Sequence, residues 1–507
     1  MASPRDIPNP VETTTEGIGG HKNAEVATKV IEILNGAGYS EHIALVLNEG
    51  VTDYWLPIPK HTIMPAKLLD YITFEAFKNA QSPVLEKSYE LDRTHIPLDT
   101  QATYEWNGVR YPKSLIYKRY LGEGGAGIVV EMQVAGGTTY AVKRIPRKTK
   151  YHEAKSQLRS IKQEIENLKK INHTHCIEFM GSYSDVKEIG VVMDPVADCN
   201  LDRFLSEFDH TGPDNRIVLA SFFGCLADAL VYLHWEVNIR HKDIKPKNIL
   251  VKKNRIILTD FGISLDWSEQ GHSTTNQEVL RSPMYCAPEA DAGQSRNRKS
   301  DIWSLGCVFL EMSAVLRGFS PNFVKTKLGN SYFRHNLDGI RDAISAVRQQ
   351  GPLDNYNPLE LEWIEQMLQF ENKKRLTSKE LQLAISRSVS DPPFCGTCCN
   401  TEPAELYDNK TTKWHGVTVR RDNNVSGAWI SKRLVDLYHL EVTSQQATLI
   451  INVGGRQLVS DTKADVRFIL DTANHVENAE CYVIPASFDL LIGTPTTVAN
   501  NKWMGTP

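Results

Sequence analysis

The sequence lacks an excess of basic residues, and it lacks an apolar segment near its start. Lys and Arg number 57 against 61 Asp and Glu, which gives a net charge of −4. This balance excludes a broadly basic surface, so we expect neither nucleic acid nor membrane among the partners. Residues 1–16 contain no apolar core of the kind found in a secretory signal. We therefore expect an intracellular protein, cytoplasmic or nuclear.

Long hydrophobic runs are also missing. The most apolar stretch, Ile217 to Leu233, contains Asp228. Such a stretch is short for a membrane span of about 20 residues. We predict a buried helix at this position.

Cysteine is scarce and scattered, with nine in 507 residues, and disulfides are not expected in a reducing compartment. One local cluster contains Cys395, Cys398 and Cys399. A structural zinc site needs four ligands, and the nearest further candidate is His415. We favour a linker with reduced thiols over a zinc site, and acylation is the third alternative.

Sequence texture divides the chain into five parts. Apolar residues at helical spacing between Val26 and Leu34, followed by Gly36, predict a helix, and Ala66 to Lys78 resembles a second one. Short alternating runs near the C-terminus, such as those around Ile450 and Val483, predict strands. The predicted parts are a disordered stretch at 1–20, a partly helical region of unknown role at 21–111, a main domain at 112–388, a linker at 389–412 and a small all-β module at 413–500.

A glycine-rich segment opens the main domain. Leu121 to Val129 contains Gly122, Gly124 and Gly127 in the pattern G-x-G-x-x-G-x-V. Glycine allows backbone N–H groups to approach phosphates closely. A simple hairpin turn or a dinucleotide-binding turn has the same residues. The dinucleotide-binding turn runs into a helix, whereas Ile128 to Gln133 continues as a strand, so a phosphate-covering hairpin is favoured.

A lysine and a glutamate follow this loop. Lys143 lies in a predicted strand, and Glu164 lies at the edge of the apolar stripe of a predicted helix. A carboxylate at a buried edge needs a partner, and Lys143 is the natural one. A Lys held by Glu can position the α- and β-phosphates of ATP. The alternative is an ordinary surface Glu.

The next motif is a polar loop followed by a strand. His241 to Val251 reads HKDIKPKNILV and contains Asp243, Lys245 and Asn248. The following strand ends in Thr-Asp-Phe-Gly, with the acid at Asp260 and the glycine at Gly262. We expect Asp243 to accept the proton of an attacking hydroxyl, Lys245 to steady the transferring phosphate, and Asn248 and Asp260 to hold Mg²⁺.

Downstream, Ala287-Pro288-Glu289 precedes a helix that begins near Asp301 and runs to Leu316. This helix is apolar nearly all round, which predicts a central buried position. Arg375 is predicted to form a salt bridge with Glu289.

In this order, the motifs from Pro112 to Ser388 resemble the eukaryotic protein kinase family. The resemblance implies an α+β fold with two lobes, a small β-rich N-lobe and a helical C-lobe. It also implies ATP and Mg²⁺ as cofactors, protein substrates and a role in intracellular signalling. Lys245, in the K-P-K-N sequence, resembles the Ser/Thr kinases rather than the Tyr kinases. The sequence of this loop, together with the segment Met-Asp-Pro-Val-Ala-Asp from Met193 to Asp198, is similar to that of kinases from filamentous fungi.

The same resemblance implies an ATP site. Met193 would be the gatekeeper, Asp194 to Val196 the hinge that binds adenine, and Asp243, Lys245, Lys143 and Glu164 the catalytic group. The residues implied to bind ATP are Leu121, Gly122, Glu123, Gly124, Gly125, Ala126, Gly127, Val129, Ala141, Lys143, Met193, Asp194, Val196 and Leu250.

Two positions depart from the family pattern. Lys242 stands where most members have Arg, and this weakens bidentate capture of a phosphate on the activation loop. Ala126 stands where an aromatic residue is usual. Ser273, Thr274 and Thr275 are candidate phosphorylation sites, or simply solvated loop residues. These departures leave open a kinase-like scaffold with little turnover as an alternative.

The C-terminal module resembles the retroviral-type aspartic protease fold. Asp422 precedes Gly427 and the sequence Trp429-Ile430-Ser431, and a hydrophobic segment ends at Gly493. Three extra residues interrupt the expected Asp-Thr-Gly turn, and a later Asp471 lacks the glycine. Because this protease needs two carboxylates that share a proton, we predict a non-catalytic module. The alternative is a kinase fused to an active protease.

Overall fold

The computed structural model describes residues 27–58, 71–85, 94–98, 103–106, 109–124, 127–134, 136–261, 283–291, 297–329, 331–350, 359–388, 393–396, 401–408, 410–426, 428–453, 456–470, 477–484 and 490–494. The chain divides into two compact units. The first runs to Glu166 and includes Phe179–Asp194, and the second contains Asn167–Glu178 and all residues from Pro195 onward. A β-rich first unit and a second unit that is mainly helical before residue 400 agree with the predicted α+β class.

The first unit begins with helices. Its elements are α1 (Thr28–Gly36), α2 (Ile43–Asn48), α3 (Tyr71–Asn79), β1 (His95–Pro97), β2 (Thr103–Trp106), β3 (Val109–Pro112), β4 (Leu115–Gly124), β5 (Gly127–Val134), β6 (Thr139–Pro146), α4 (Tyr151–Lys170), β7 (Glu178–Ser184) and β8 (Glu188–Asp194). Helix α1 is where its apolar spacing predicts it. The start of the second predicted helix, 66–70, is outside the described residues, and α2 was not predicted from the sequence.

Six of these strands form one sheet in the order β1-β7-β8-β6-β5-β4. Its apolar side contains Leu98, Leu115, Val130, Met132, Val142, Tyr183 and Val192. The sheet contains a close approach at Gly127, where a Cβ atom would lie 2.1 Å from the carbonyl oxygen of Arg144. Only glycine allows β5 and β6 to pair this closely at that point.

The second unit contains most of the helices. Its elements before residue 400 are β9 (Cys199–Asn200), α5 (Leu201–Ser206), α6 (Pro213–Val231), β10 (Ile249–Lys252), β11 (Arg255–Leu258), α7 (Pro288–Asp291), α8 (Arg298–Leu316), α9 (Phe323–Lys327), α10 (Leu337–Gln349), α11 (Leu359–Met367) and α12 (Ser378–Ser386). Helix α8 is buried from Ser300 to Leu316, as its apolar composition predicts, and a capping box of Asn297 and Ser300 starts it.

Helix α6 contains the apolar stretch noted in the sequence. It continues through a π-helical turn at Tyr232–Glu236. Among the described residues, the segment Asp214–Glu236 is long and apolar enough to cross a membrane. However, 83% of its most apolar 18-residue stretch is buried inside the protein. This burial agrees with the predicted core helix.

The C-terminal part of the second unit is mostly β-structure. Its elements are β12 (Thr401–Asp408), β13 (Lys413–Ser426), β14 (Ala428–Ser431), α13 (Lys432–Leu437), β15 (Val442–Val453), β16 (Arg456–Leu470), β17 (Glu477–Ile484) and β18 (Leu490–Thr494). The strand order is β12-β13-β18-β14-β17-β16-β15, and β12 also pairs with β16. The second pairing closes six strands into a barrel, whose core includes Ala428 and Ile430 of β14.

The predicted linker 389–412 is wrong in its extent. Strand β12 begins at Thr401, inside that range, and pairs with β13 along its whole length. The strand was not predicted from the sequence because Pro403 is an unfavourable residue for a strand. Proline is tolerated here because β12 pairs with its second neighbour, β16, only from Ala404 to Leu406. Phe394 is buried as well, so part of the remaining linker packs within the helical unit.

Candidate active site

The glycine-rich segment forms the β4–β5 hairpin. Gly122 is opposite Val129, and Gly124 is opposite Gly127. The tip residues Gly125 and Ala126 lie outside the described residues. The strand that follows Gly127 excludes the helix of a dinucleotide-binding turn, as the sequence indicates.

Strand pairing places several predicted ATP-site residues on one face of the sheet. Val129 is opposite Lys143, and Ala141 is opposite Met193. Directly opposed residues in antiparallel strands share a face, and so do residues two apart in one strand. Lys143, Val129, Ala141 and Met193 therefore share one face, next to the hairpin. Leu121 and Glu123 lie on β4, and Asp194 ends β8.

Lys143 and Glu164 form the predicted ion pair. The Lys143 ammonium nitrogen is 3.8 Å from the nearer Glu164 carboxylate oxygen, and the two side chains are 7% and 4% exposed. Glu164 comes from helix α4, whose apolar stripe places it against the sheet. Burial of two charges is tolerated only when they compensate each other. The pair therefore fixes an ammonium group on the face described above.

The second unit contains the predicted catalytic loop. Lys245 donates to Asp243 through a 2.7 Å contact between Nζ and Oδ2. The Asn248 amide nitrogen donates to the backbone carbonyl and to Oδ2 of Asp243, each at 2.9 Å. These three side chains thus meet at one carboxylate, whose orientation is fixed by two donors. Val196 and Leu250 also belong to this unit. Leu250 lies on β10, and the Lys252 side chain of the same strand donates to the carbonyl of Val196.

The predicted catalytic loop is held in place by Asp301, the first buried acid of helix α8. Asp301 accepts from the His234 ring at 2.9 Å and from the backbone N–H groups of His241 and Lys242 at 2.9 and 2.8 Å. Burial alone would raise the pKa of Asp301, but the hydrogen bond and charge of His234 hold it below its usual value. Lys242 adopts a left-handed backbone conformation, φ 69°, which directs its N–H to this carboxylate.

The strand end that is predicted to bind the metal is fixed by neighbouring contacts. The His241 ring nitrogen Nε2 donates to the carbonyl of Thr259 over 2.9 Å, and the ring packs on Phe261 with centroids 5.0 Å apart. Burial lowers the pKa of His241, which favours the neutral ring. Asp260 lies between these two partners in the chain and has φ 67°, also left-handed. Gly262 and the candidate phosphorylation sites at Ser273 to Thr275 lie outside the described residues.

Asn248 and Asp260 suit Mg²⁺, because this metal needs few ligands from the protein. The amide nitrogen of Asn248 is turned toward Asp243, so its amide oxygen points the other way. Asp260 adds carboxylate oxygens, and oxygen donors are what Mg²⁺ prefers, with phosphates completing the shell. Among the described residues, no group of three or more His, Cys, Asp or Glu side chains could hold a metal by itself.

The predicted Glu289–Arg375 salt bridge is confirmed. Both guanidinium terminal nitrogens donate to the carboxylate, at 2.7 and 2.8 Å. Ser300 donates to the same carboxylate at 2.8 Å, a third member that was not predicted from the sequence. The role of His234 was not predicted either, although a buried Asp in an otherwise apolar helix signals that a hydrogen-bonding partner must exist.

Comparison with known proteins gives a consistent result. A model of the protein kinase domain matches residues 115–384, just over half of the chain. The chain is similar to the serine/threonine-protein kinase nekl-2 of Caenorhabditis elegans, with 32% identity over 168 residues, covering 32% of this chain and 46% of that protein. It is 26% identical over 297 residues to serine/threonine-protein kinase 33 of Bos taurus, covering 54% and 55% of the two chains.

A third relative is serine/threonine-protein kinase Nek11 of Macaca fascicularis, 30% identical over 237 residues, which are 43% of this chain and 35% of that protein. The chain therefore spans about half or less of the length of these relatives.

Proposed function

The chain belongs to the protein kinase family, and from this premise we propose that it is an ATP-dependent protein kinase for Ser and Thr hydroxyls. The proposal depends most on one observation, the Asp243 carboxylate held by Lys245 and Asn248. A degenerate kinase has no need to retain all three. The matching relatives are also named serine/threonine-protein kinases.

The division of roles follows from the contacts. Lys143, fixed by Glu164, would bind the α- and β-phosphates. Asn248 and Asp260 would hold Mg²⁺, which would neutralise negative charge on the phosphoryl group that ATP supplies. The backbone of the β4–β5 hairpin would cover the phosphates, because its glycines have no side chains in the way.

Asp243 would orient the substrate hydroxyl and accept its proton. Its Oδ2 already accepts from Lys245 and Asn248, so the carboxylate is held in a single orientation. The Lys245 ammonium would lie near the transferring phosphoryl group and steady its negative charge. The Ser/Thr assignment is supported by Lys245, two residues after Asp243 in the sequence K-P-K-N, which resembles the Ser/Thr kinases rather than the Tyr kinases.

The test uses the purified chain with γ-labelled ATP, Mg²⁺ and basic and acidic protein substrates. We expect label on phosphoserine and phosphothreonine after acid hydrolysis. Label on phosphotyrosine alone would contradict the Ser/Thr assignment. We further propose an intracellular signalling role, cytoplasmic or nuclear, a setting that suits MgATP and the buried, reduced thiol of Cys307.

For the C-terminal barrel, we propose a retropepsin-like recognition module without proteolytic activity. The likeness to the protease fold is supported by β18, the hydrophobic segment that includes Gly493, because it pairs with both β13 and β14. The lack of activity is supported by Asp422, which lies within strand β13 rather than in a separate turn. An aspartate within a strand lacks the tight turn that brings two such groups together.

The module proposal predicts that the full chain cleaves no peptides at acidic pH. A chain ending at residue 396 should retain phosphoryl transfer and lose only partner binding or localisation. Cleavage that disappears in Asp422→Ala would contradict it and would indicate a kinase–protease fusion.

A further inference from the structure

The segment 27–58 has a defined fold, and no motif in its sequence indicates a role. Asp53 accepts from the N–H groups of Lys29 and Val30, at 3.2 and 3.0 Å, and so caps helix α1. Its buried apolar residues are Ala27, Val30, Ile33, Leu34, Ile43, Val46, Leu47, Val51, Tyr54, Trp55, Leu56 and Ile58. A segment with this much buried surface holds a defined shape.

One side of this segment is fixed to the sheet that carries Lys143. Ser184, at the end of β7, donates to the carbonyl of Leu56 at 2.5 Å. The His95 ring contacts the hydroxyls of Ser182 and Ser184, at 3.0 and 3.1 Å, and it stacks on Tyr54 with centroids 4.0 Å apart. The segment is therefore attached to strands β1 and β7 of the sheet.

The residues on either side of Leu56 also hold the connection between β6 and α4. The Arg147 guanidinium donates to the carbonyls of Trp55, Pro57 and Asp185, at 2.5, 2.8 and 2.8 Å. Burial lowers the pKa of Arg147 to about 10, so the group is still charged at neutral pH. A buried cation that donates to three carbonyls joins the start of the connection to both the segment and the sheet.

The segment also contacts the first turns of α4 itself. Tyr151 packs against Trp55, with ring centroids 5.5 Å apart. Lys155 pairs with Glu49, with 2.6 Å between Nζ and Oε2. Burial, and then the charge of Glu49, raise the pKa of Tyr151. Both contacts lie on the helix that carries Glu164.

We infer that residues 27–58 act as a brace that positions helix α4, so that Glu164 reaches Lys143. Glu49 and Trp55 are the positioning residues in this account. Tyr151 and Glu164 are 13 residues apart, about 20 Å along a stiff helix, so contacts at the first turns set the helix direction. The inference rests on the proposed function for its consequence in catalysis, since it concerns the same Lys143–Glu164 pair.

The experiment is a charge-reversal cycle in the full chain with Glu49→Lys, Lys155→Glu and the double variant. Each single variant places like charges together, and the double variant restores an ion pair. We expect each single variant to lower kcat/KM for ATP by about fivefold, within the range for a partly exposed pair. The double variant should recover most of the loss. Amide hydrogen exchange across residues 151–165 should increase in the singles and return in the double.

The matched control is the Lys463–Glu480 pair in the C-terminal barrel, which has a contact of 2.7 Å. Charge reversal there should change neither measurement. Single variants at Glu49 and Lys155 with normal kcat/KM and normal exchange would overturn the brace, and so would losses that the double variant does not restore. If a reversed single variant fails to fold, Glu49→Gln replaces it, with the same expected direction.

The two proposals fail differently. If the wild-type chain transfers no phosphoryl group, the proposed function fails while the exchange measurement still decides the brace. If wild-type transfer is normal and amide exchange in α4 is the same in the wild type and in all the charge-reversal variants, the brace alone fails.

Discussion

At the scale of single residues, Asp301 shows how one buried carboxylate can organise a loop. It accepts from one ring nitrogen and two backbone N–H groups, and it is 2% exposed. Asp301→Asn replaces one acceptor oxygen with a donor that faces N–H groups. We expect a loss of about 3 kcal/mol in the free energy of unfolding at pH 7, measured by urea titration, together with a lower kcat.

The same residue predicts a pH dependence. Because the folded-state pKa of Asp301 is depressed, its contribution to stability is present above the unfolded-state pKa and is lost as pH falls through the folded-state pKa. The stability difference between wild type and Asp301→Asn should therefore shrink in acid, below about pH 4. A difference that stays constant down to the lowest pH at which both proteins fold would contradict this account.

Single residues were also where the sequence was most informative. Lys143, Glu164, Asp243, Asn248, Glu289 and Arg375 could be identified because each belongs to a short motif with fixed spacing, and the structure forms both predicted ion pairs. His234 and Ser300 could not, because neither contact belongs to a motif with fixed spacing: His234 meets Asp301, 67 residues later, and Ser300 meets Glu289, 11 residues earlier. Nothing in the local sequence marks such a contact.

At the scale of elements, the β5–β6 pairing depends on Gly127. A Cβ atom there would meet the Arg144 carbonyl at 2.1 Å, so Gly127→Ala must push the strands apart. We expect weaker MgATP binding, measured by calorimetry, because Lys143 is on the displaced strand. Gly136→Ala is the control, since a Cβ atom added there would meet no neighbouring side chain or backbone within 4 Å. Normal binding by both variants would contradict the prediction.

A second element-scale prediction concerns the segment after α12. The Phe394 carbonyl accepts from the Gly224 N–H at 2.8 Å, and its ring contacts those of Phe223 and Trp363. Phe394→Ala should reduce the free energy of unfolding by about 3–5 kcal/mol, as for other buried Phe residues. Phe370→Ala, at a side chain that is 54% exposed, should cost far less. Equal losses in urea titrations would show that the segment does not stabilise the unit.

The elements differ in how far the sequence predicts them. Helices α1 and α8 could be predicted because continuous or periodic apolar residues define them. Strand β12 could not, because Pro403 and Glu405 conceal its pairing with two distant strands. The burial of Phe394 was also missed, because a short Pro- and Cys-rich stretch has no regular spacing of apolar residues from which burial could be predicted.

At the scale of the whole molecule, the chain combines a kinase domain with a folded N-terminal segment and a C-terminal barrel. The order of motifs predicted the family, and the family model confirms it over residues 115–384. The barrel's closure and the contacts of residues 27–58 required the structure, because both depend on pairings between segments far apart in the chain.

The most direct measurement compares wild type with Asp243→Asn in two assays on the same preparations. One assay is MgATP binding by calorimetry, and the other is transfer of labelled phosphate to protein Ser and Thr. The account predicts similar binding, with transfer lower in the variant by about a hundredfold to ten-thousandfold, the usual range for loss of a general base. Equal transfer by the two proteins would contradict the role of Asp243. MgATP binding with no transfer by wild type would contradict the kinase account and favour a nucleotide-binding scaffold.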